Sequence, residues 1–263
     1  GNLYFADTNN NRVEKYDAQG NFLAAAGGFG GDVQLNQPWS MTVAADGTVY
    51  VADTWNHKIL KLDKDLKKVK EWGAGGQTEA GGDPMKLFGP RDIVLAPDGH
   101  VLIADTGNNR VIEYDSDGKF VRQFGSKGTS GDPLQFNEPS SLAVAANGDI
   151  FVADFWNKRI VHLDKDLNSK GEIKVDSWGS QAVTDRGYLA LLPDGRLLAT
   201  DPTRGKLLAF GADGAPIATY DVPKEGNQAL ARPIGVATDG TSVVVVDSIG
   251  NVARKIPLGE IVK

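Results

Sequence analysis

A chain of 263 residues, 41% hydrophobic and 24% charged, has the apolar content to bury a large core. Its formal charge of −6 argues against a broad nucleic-acid footprint, which needs a basic face. The absence of cysteine excludes a disulfide framework and any cysteine-ligated metal. No apolar run approaches the roughly 18 residues of a membrane helix, so no membrane insertion is expected.

One tetrad organises the chain: two apolar residues, a small or apolar one, then aspartate. Its aspartates are Asp7, Asp53, Asp105, Asp154, Asp201 and Asp247, spaced 46, 52, 49, 47 and 46 residues apart. A period of this length marks a repeat architecture and outranks any local motif.

In chain order, the first unit runs from Leu3 to Ala26 and offers three strands. Gly1 aligns with the glycine of the Asp-Gly turn in the later units, so the innermost strand of the first unit lies outside the sequence. The second unit carries Pro38, Asp46-Gly47, Asp53, Asn56, Lys58, Asp63 and Trp72-Gly73. The third shows the full pattern. Pro90 opens it, and an apolar run from Ile93 leads to Asp98-Gly99, a hairpin turn that tolerates positive φ. A second strand ends at Asp105. The turn Thr106–Asn109 follows, then a third strand to Tyr114, a hairpin at Asp115–Gly118 and a fourth strand to Phe124. The fourth unit repeats it with Pro139, Asn147-Gly148, Asp154, Asn157, Arg159 and Trp178-Gly179. The fifth and sixth carry Asp194-Gly195 with Asp201, and Pro233 with Asp239-Gly240 and Asp247. Four-stranded antiparallel meanders near 46 residues, repeated six times, predict an all-β fold: one six-bladed β-propeller domain over residues 1–263. The sequence from Glu260 onward is expected as an outermost strand of the sixth unit. The polypeptide is expected to continue before Gly1.

A basic residue follows the aspartate by five positions in five units: Arg12, Lys58, Arg110, Arg159 and Lys206. Asparagine follows by three in four of them: Asn10, Asn56, Asn108 and Asn157. Positions five apart across a tight hairpin face one another. Asp53–Lys58, Asp105–Arg110 and Asp154–Arg159 are therefore expected as structural ion pairs.

The segment Asp53-Thr54-Trp55-Asn56-His57-Lys58-Ile59 resembles the Asn-His-Leu signature of NHL repeats. Asp105–Val111 and Asp154–Ile160 are its variants. The resemblance implies a six-bladed NHL propeller. It is nearest to NHL modules of bacterial envelope or membrane-linked proteins, which would favour an extracytoplasmic location. The fifth and sixth units depart from the signature, one at the asparagine and the other at the basic residue.

Alternating strand direction sorts the loops by face. The turns after each tetrad share one end, the top, with the long loops between units: Gly28–Gln37, Ala74–Gly89, Ser126–Glu138, Ser180–Arg186 and Pro223–Arg232. Binding residues concentrate on such loops. The residues that follow each unit opening should ring a channel mouth. Trp39, Ser40, Arg91, Asp92, Ser141 and Tyr188 are the candidate ligand-binding set, for a protein or carbohydrate ligand. No catalytic residue and no metal ligand is assigned, and no cofactor is expected. Calcium remains the one ion to consider, through Asp92.

The resemblance also brings enzymes into view, because some six-bladed relatives are zinc lyases or calcium lactonases with a metal in the central channel. Here His57, His100 and His162 occupy three different repeat slots and do not converge on one metal. The mouth offers one carboxylate, Asp92, with no adjacent amide. Asp115-Ser116-Asp117-Gly118 opens like a calcium loop but lacks the later ligands. Other NHL modules bind RNA on a basic face. In this chain Arg91, Arg186, Arg204 and Arg232 are diluted by Asp83, Asp92, Asp132 and Glu138. A non-catalytic binding module is the expected role.

Overall fold

The computed structural model describes residues 1–129, 132–179, 182, 184–221, 232–250 and 252–261. Six antiparallel sheets follow one another along the chain. The first holds β1 (Leu3–Asp7), β2 (Arg12–Tyr16) and β3 (Phe22–Gly27). The second holds β4 (Pro38–Val43), β5 (Val49–Asp53), β6 (Lys58–Leu62) and β7 (Lys68–Trp72). A two-residue parallel pair, β8 (Ala74–Gly75) with β9 (Lys86–Leu87), pins the loop to the third sheet. That sheet holds β10 (Asp92–Leu95), β11 (Val101–Asp105), β12 (Arg110–Tyr114) and β13 (Phe120–Phe124). A second parallel pair follows, β14 (Ser126–Lys127) with β15 (Gln135–Phe136). The fourth sheet holds β16 (Pro139–Val144), β17 (Ile150–Asp154), β18 (Arg159–Leu163) and β19 (Ser169–Lys174). The fifth holds β20 (Leu189–Leu191), β21 (Leu197–Asp201), β22 (Lys206–Phe210) and β23 (Pro216–Asp221). The sixth holds β24 (Pro233–Thr238), β25 (Ser242–Asp247) and β26 (Val252–Pro257).

This is the six-bladed β-propeller class, with four-stranded blades except the first and sixth, which have three strands among the described residues. The chain divides into two compact units of three blades each, Gly1–Glu138 and Pro139–Lys263. Each unit has its core between blades rather than inside them. In the first unit, Val13, Val33 and Leu35 pack against Val49, Val51 and Leu60, and Ile59 and Trp72 pack against Ile103 and Tyr114. In the second, Phe151, Phe155 and Trp178 pack against Leu197 and Phe210, and Leu198 and Leu207 pack against Val243 and Val245. Middle strands are thus buried on both faces. All five residues of β5, β11 and β17 are buried, which is why they read as continuous apolar runs rather than alternating ones.

The C-terminus departs from expectation. Leu258–Ile261 is a helical turn, not an outermost strand, and Ile261 is buried in the core of the fifth and sixth blades. Leu258 and Ile261 are three apart, so one helical turn puts both on one face, against that core. The sixth blade therefore has three strands among the described residues. The expected loop 223–232 lies almost wholly outside the described residues.

The hairpin aspartates act as turn clamps. Asp17 Oδ1 accepts the N–H groups of Gln19 and Asn21, and Asp164 Oδ1 those of Asp166 and Asn168. Asp115 Oδ1 does the same with Asp117 and Lys119, so this segment is an Asx turn. Hydrogen bonds to the charged form hold these carboxyls below the usual range. The Asn21 and Asn168 side chains are the largest cause for Asp17 and Asp164, and the Lys119 N–H is the largest for Asp115. A folded pKa below the unfolded value of about 3.9 contributes stability above that value and loses it as pH falls through the folded pKa. Asp53 and Asp105, raised by burial, act with the opposite sign. The held-down carboxyls are more numerous, so they set the net slope. The expected result is a melting temperature nearly flat from about pH 7 to 5, falling steeply below about pH 4. Asp164→Asn, which keeps the turn without the charge, should shallow that fall. Calorimetry across pH checks both.

Candidate functional site

Two tetrad aspartates reach beyond their own turn. Asp53 Oδ1 accepts the Asn36 N–H at 2.7 Å and Asp105 Oδ1 accepts the Phe88 N–H at 2.8 Å. The carboxylate therefore ties the end of the second strand to the loop that enters the same blade. The asparagine three residues on donates to the other oxygen, at 2.8 Å in Asn56–Asp53, Asn108–Asp105 and Asn157–Asp154. The same asparagines donate to loop carbonyls, Asn56 to Gln34 O and Asn108 to Lys86 O.

Arg110 Nε meets Asp105 Oδ2 at 2.8 Å, and Arg159 Nε meets Asp154 Oδ2 at 2.9 Å, all four residues buried. The Asp53–Lys58 pair does not form. Lys58 Nζ lies instead 2.9 Å from Glu71 Oε1 on the outer strand. The reason is reach and shape. Arginine can leave Nε on the aspartate while its terminal nitrogens go elsewhere, whereas lysine has one ammonium to spend.

The next slot explains the histidine of the signature. Asn11, His57, Asn109 and Lys158 close a 3₁₀ turn in the left-handed region, with φ of 54°, 56°, 55° and 55°. Three of these side chains also accept an N–H from the loop entering the next blade. Gln37 N–H donates to Asn11, Gly89 N–H to His57 Nδ1 at 2.9 Å, and Glu138 N–H to Asn109. An asparagine suits both demands. His57 meets the second through an unprotonated Nδ1 and stacks on Phe88 at 5.1 Å. Sequence reasoning located this slot but missed its acceptor role.

The other histidines are also engaged within their own blades. His100 Nδ1 is 2.8 Å from Glu113 Oε1, and His162 Nε2 is 3.0 Å from Asp149 Oδ2. Asp98, His100 and Glu113 place ligand atoms within 4.8 Å of one another, among the described residues. They do not suit a metal, because Arg122 Nε already stands 2.5 Å from Glu113 Oε2 with the charge an ion would bring.

Of the expected mouth residues, four come together in the first unit. Trp39 and Ser40 open β4, and Arg91 and Asp92 open the third blade. The Arg91 guanidinium carbon lies 4.5 Å from the Trp39 ring centroid, a cation–π contact. Ser40 Oγ donates to Asp92 Oδ1 at 2.6 Å. Arg91 and Asp92 are buried, while Trp39 and Ser40 are half-buried. Trp39 Nε1 has no hydrogen-bond acceptor among the described residues. In the second unit Ser141 is fully buried, and its Oγ accepts the Leu189 N–H at 3.0 Å. Ser140 Oγ donates to Gly187 O at 2.9 Å. These hydroxyls tie the fourth blade to the fifth. Tyr188 is buried beside them, with its N–H on Thr200 Oγ1. Trp55 donates from Nε1 to Gln37 Oε1, and Trp156 lies under the Arg186 guanidinium at 4.9 Å.

Residues 35–62, 89–114 and 136–163 match the NHL repeat family. The chain is 30% identical over 131 residues to protein SUPPRESSOR OF QUENCHING 1, chloroplastic, of Arabidopsis thaliana, covering 42% of this chain and 12% of that protein. It is 28% identical over 87 residues to the probable peptidyl-alpha-hydroxyglycine alpha-amidating lyase pgal-1 of Caenorhabditis elegans, covering 33% of this chain and 25% of that one. The match thus spans a quarter or less of either relative. Among solved structures, a chain of a nidogen/laminin complex superposes with a TM-score of 0.69 at 17% identity, over 99% of this chain and 90% of that one. The chain thus carries three matches to the NHL repeat, in the second, third and fourth blades of a six-bladed β-propeller fold.

Proposed function

We propose that the chain is a non-catalytic interaction module that takes a protein segment on the end of the first unit bearing Trp39 and Arg91. The observation that carries this reading is the half-buried Trp39, whose ring is held under Arg91 with part of its surface open to solvent. A rigid, partly open aromatic with a cation over its face is the composition of an interaction hot spot. The exposed part of the ring would pack against the peptide, and the ordering cost falls on the ligand because the ring is already held. The nidogen/laminin likeness is support in kind, since that structure is a protein–protein complex. The histidines weigh against the lyase reading that pgal-1 suggests, because they stand in three different repeat slots and each is engaged by groups of the fold, His57 by the Gly89 N–H and the other two within their own blades.

Peptide and glycan arrays probed with the wild type, with Trp39→Ala and with the exposed control Lys64→Ala test the reading. Peptide ligands should lose about 10-fold or more in affinity with Trp39→Ala, and nothing with the control. Binding that survives Trp39→Ala places the site elsewhere. Hits confined to glycans replace the protein ligand with a carbohydrate one. Turnover of any bound compound removes the non-catalytic part.

A further inference from the structure

The second blade carries a cavity at the slot where the third and fourth blades bury an arginine. In the third blade, Arg110 spends Nε on Asp105, one terminal nitrogen on Gln123 Oε1, and the other on the carbonyls of Asp83 and Lys86. In the fourth, Arg159 spends Nε on Asp154 and a terminal nitrogen on Glu172. The register makes these acceptors equivalent: Gln123 pairs with Ile112, Glu172 with Val161, and Glu71 with Leu60, each two residues after the basic slot. In the second blade that slot is Lys58. Its ammonium goes to Glu71, and a cavity of 370 Å³ opens, lined by Asp32, Gln34, Asn56, Lys58, Lys68 and Glu71 among others.

The acceptors that would hold a guanidinium are still in place. Asp53 is 1% exposed, and its Oδ2 takes the Asn56 amide at 2.8 Å, as Asp105 Oδ2 takes Asn108 beside Arg110. Gln34 O takes Asn56, as Lys86 O takes Asn108 and also Arg110. Burial, the largest influence, pushes the Asp53 carboxyl up, as it does that of Asp105. Lys58 and Lys68 both sit on Glu71 with half-exposed side chains, so an arriving cation can displace Lys58 to solvent. Asp32 and Glu71 line the cavity with the two lysines, and the buried Asp53 lies close enough to Lys58 to feel its charge.

We infer that this cavity is a binding site for a guanidinium group, seated as Arg110 is seated one blade on, with Asp53, the Gln34 carbonyl and Glu71 as its acceptors. The group is planar and donates in a fork, which matches acceptors set for arginine better than a point-charge ammonium does. It can arrive on a small guanidino compound or on an arginine side chain. The site is separate from the Trp39 surface and does not depend on the reading of that surface.

Titration of the whole chain with methylguanidinium, followed by the Asn36 backbone and Asn56 side-chain amide resonances, tests it. The expected result is saturable shifts at both, several-fold stronger than with methylammonium. Lys58→Arg should supply the guanidinium internally, abolish those shifts and raise the melting temperature by about 2–4 °C, equivalent to about 1 kcal/mol in a chain of this size. Lys58→Met, which removes the competing ammonium, should bind methylguanidinium more tightly than the wild type. An acetylated, amidated Gly-Arg-Gly peptide separates the sources: tighter binding than methylguanidinium points to a partner's arginine, and weaker binding to a small compound. Saturation by methylammonium at the same concentration, or undiminished methylguanidinium shifts in Lys58→Arg, overturns the inference.

Discussion

Asp105→Ala should cost about 3–5 kcal/mol of unfolding free energy, the largest loss expected from any tetrad aspartate. The carboxylate is fully buried and serves three donors: the Phe88 N–H, the Asn108 amide and Arg110 Nε. Removing it strands a guanidinium that is itself 1% exposed, together with a backbone N–H. An uncompensated buried charge costs far more than an intact buried pair contributes, so the loss measures abandonment rather than the worth of the bond. Asp7→Ala makes the contrast. It belongs to the same slot, with Arg12 Nε at 2.8 Å, but the arginine side chain is 40% exposed and the aspartate 25%. Water can take over both partners there, and a loss within about 1 kcal/mol is expected. Asp105→Ala/Arg110→Met should recover part of the single-mutant loss by removing the stranded charge. Chemical denaturation of the four proteins checks the series. Equal losses at Asp7 and Asp105, or no recovery in the double variant, would contradict the assignment.

The architecture was legible because the repeat is long and its punctuation is chemical. Pro38, Pro139 and Pro233 open inner strands and Pro90 lies two residues before one, and the Asp-Gly and Asn-Gly pairs make the positive-φ turns, with Gly47, Gly99 and Gly148 at 88°, 86° and 86°. The three-stranded first blade followed from aligning Gly1 with those glycines. What escaped was whatever depended on side-chain reach. Lys58 and Arg110 look alike as basic residues five after an aspartate, but a lysine cannot hold the aspartate and the outer strand together. The C-terminal turn escaped because four residues carry no period, and because Ile261 is placed by a core that only the fold creates. The mouth set was half legible. Divergent slots after the unit openings did flag Trp39, Arg91 and Asp92, which meet in space. Divergence could not separate a surface from a tie, and Ser141 proves to be a tie between blades. The loop-clamping role of the aspartates has a signal in hindsight: each clamped N–H, on Asn36 and Phe88, lies two residues before the proline that opens the blade.

Trp178→Ala should destabilise the chain by about 3–5 kcal/mol, the range of a large aromatic deleted from a well-packed core. The side chain is 1% exposed and stacks on Phe155 with centroids 5.6 Å apart and planes 28° from parallel. Its Nε1 donates to Thr200 O at 3.1 Å, so the buried polar atom is satisfied on the tetrad of the fifth blade. The ring also lies on the backbone of Gly187, where a Cβ would meet its atoms at 2.3–2.4 Å. Only glycine fits there, and the contact fixes the entry into Tyr188 and β20. Two further variants separate the parts of the effect. Trp178→Phe keeps most of the packing but leaves the Thr200 carbonyl without its donor, for an expected loss of about 1–3 kcal/mol. Gly187→Ala keeps the tryptophan whole and forces its ring to move, for about 1–3 kcal/mol of overpacking. Because Ser140 Oγ holds the Gly187 carbonyl, Trp178→Ala and Gly187→Ala should both weaken hydrogen-exchange protection at Leu189 and Ser141. Asp105→Ala acts through a different blade and should not single out those amides when compared at matched stability. Losses below about 1 kcal/mol in Trp178→Ala, or unchanged protection at Leu189, would show that the ring fills space without positioning the strand.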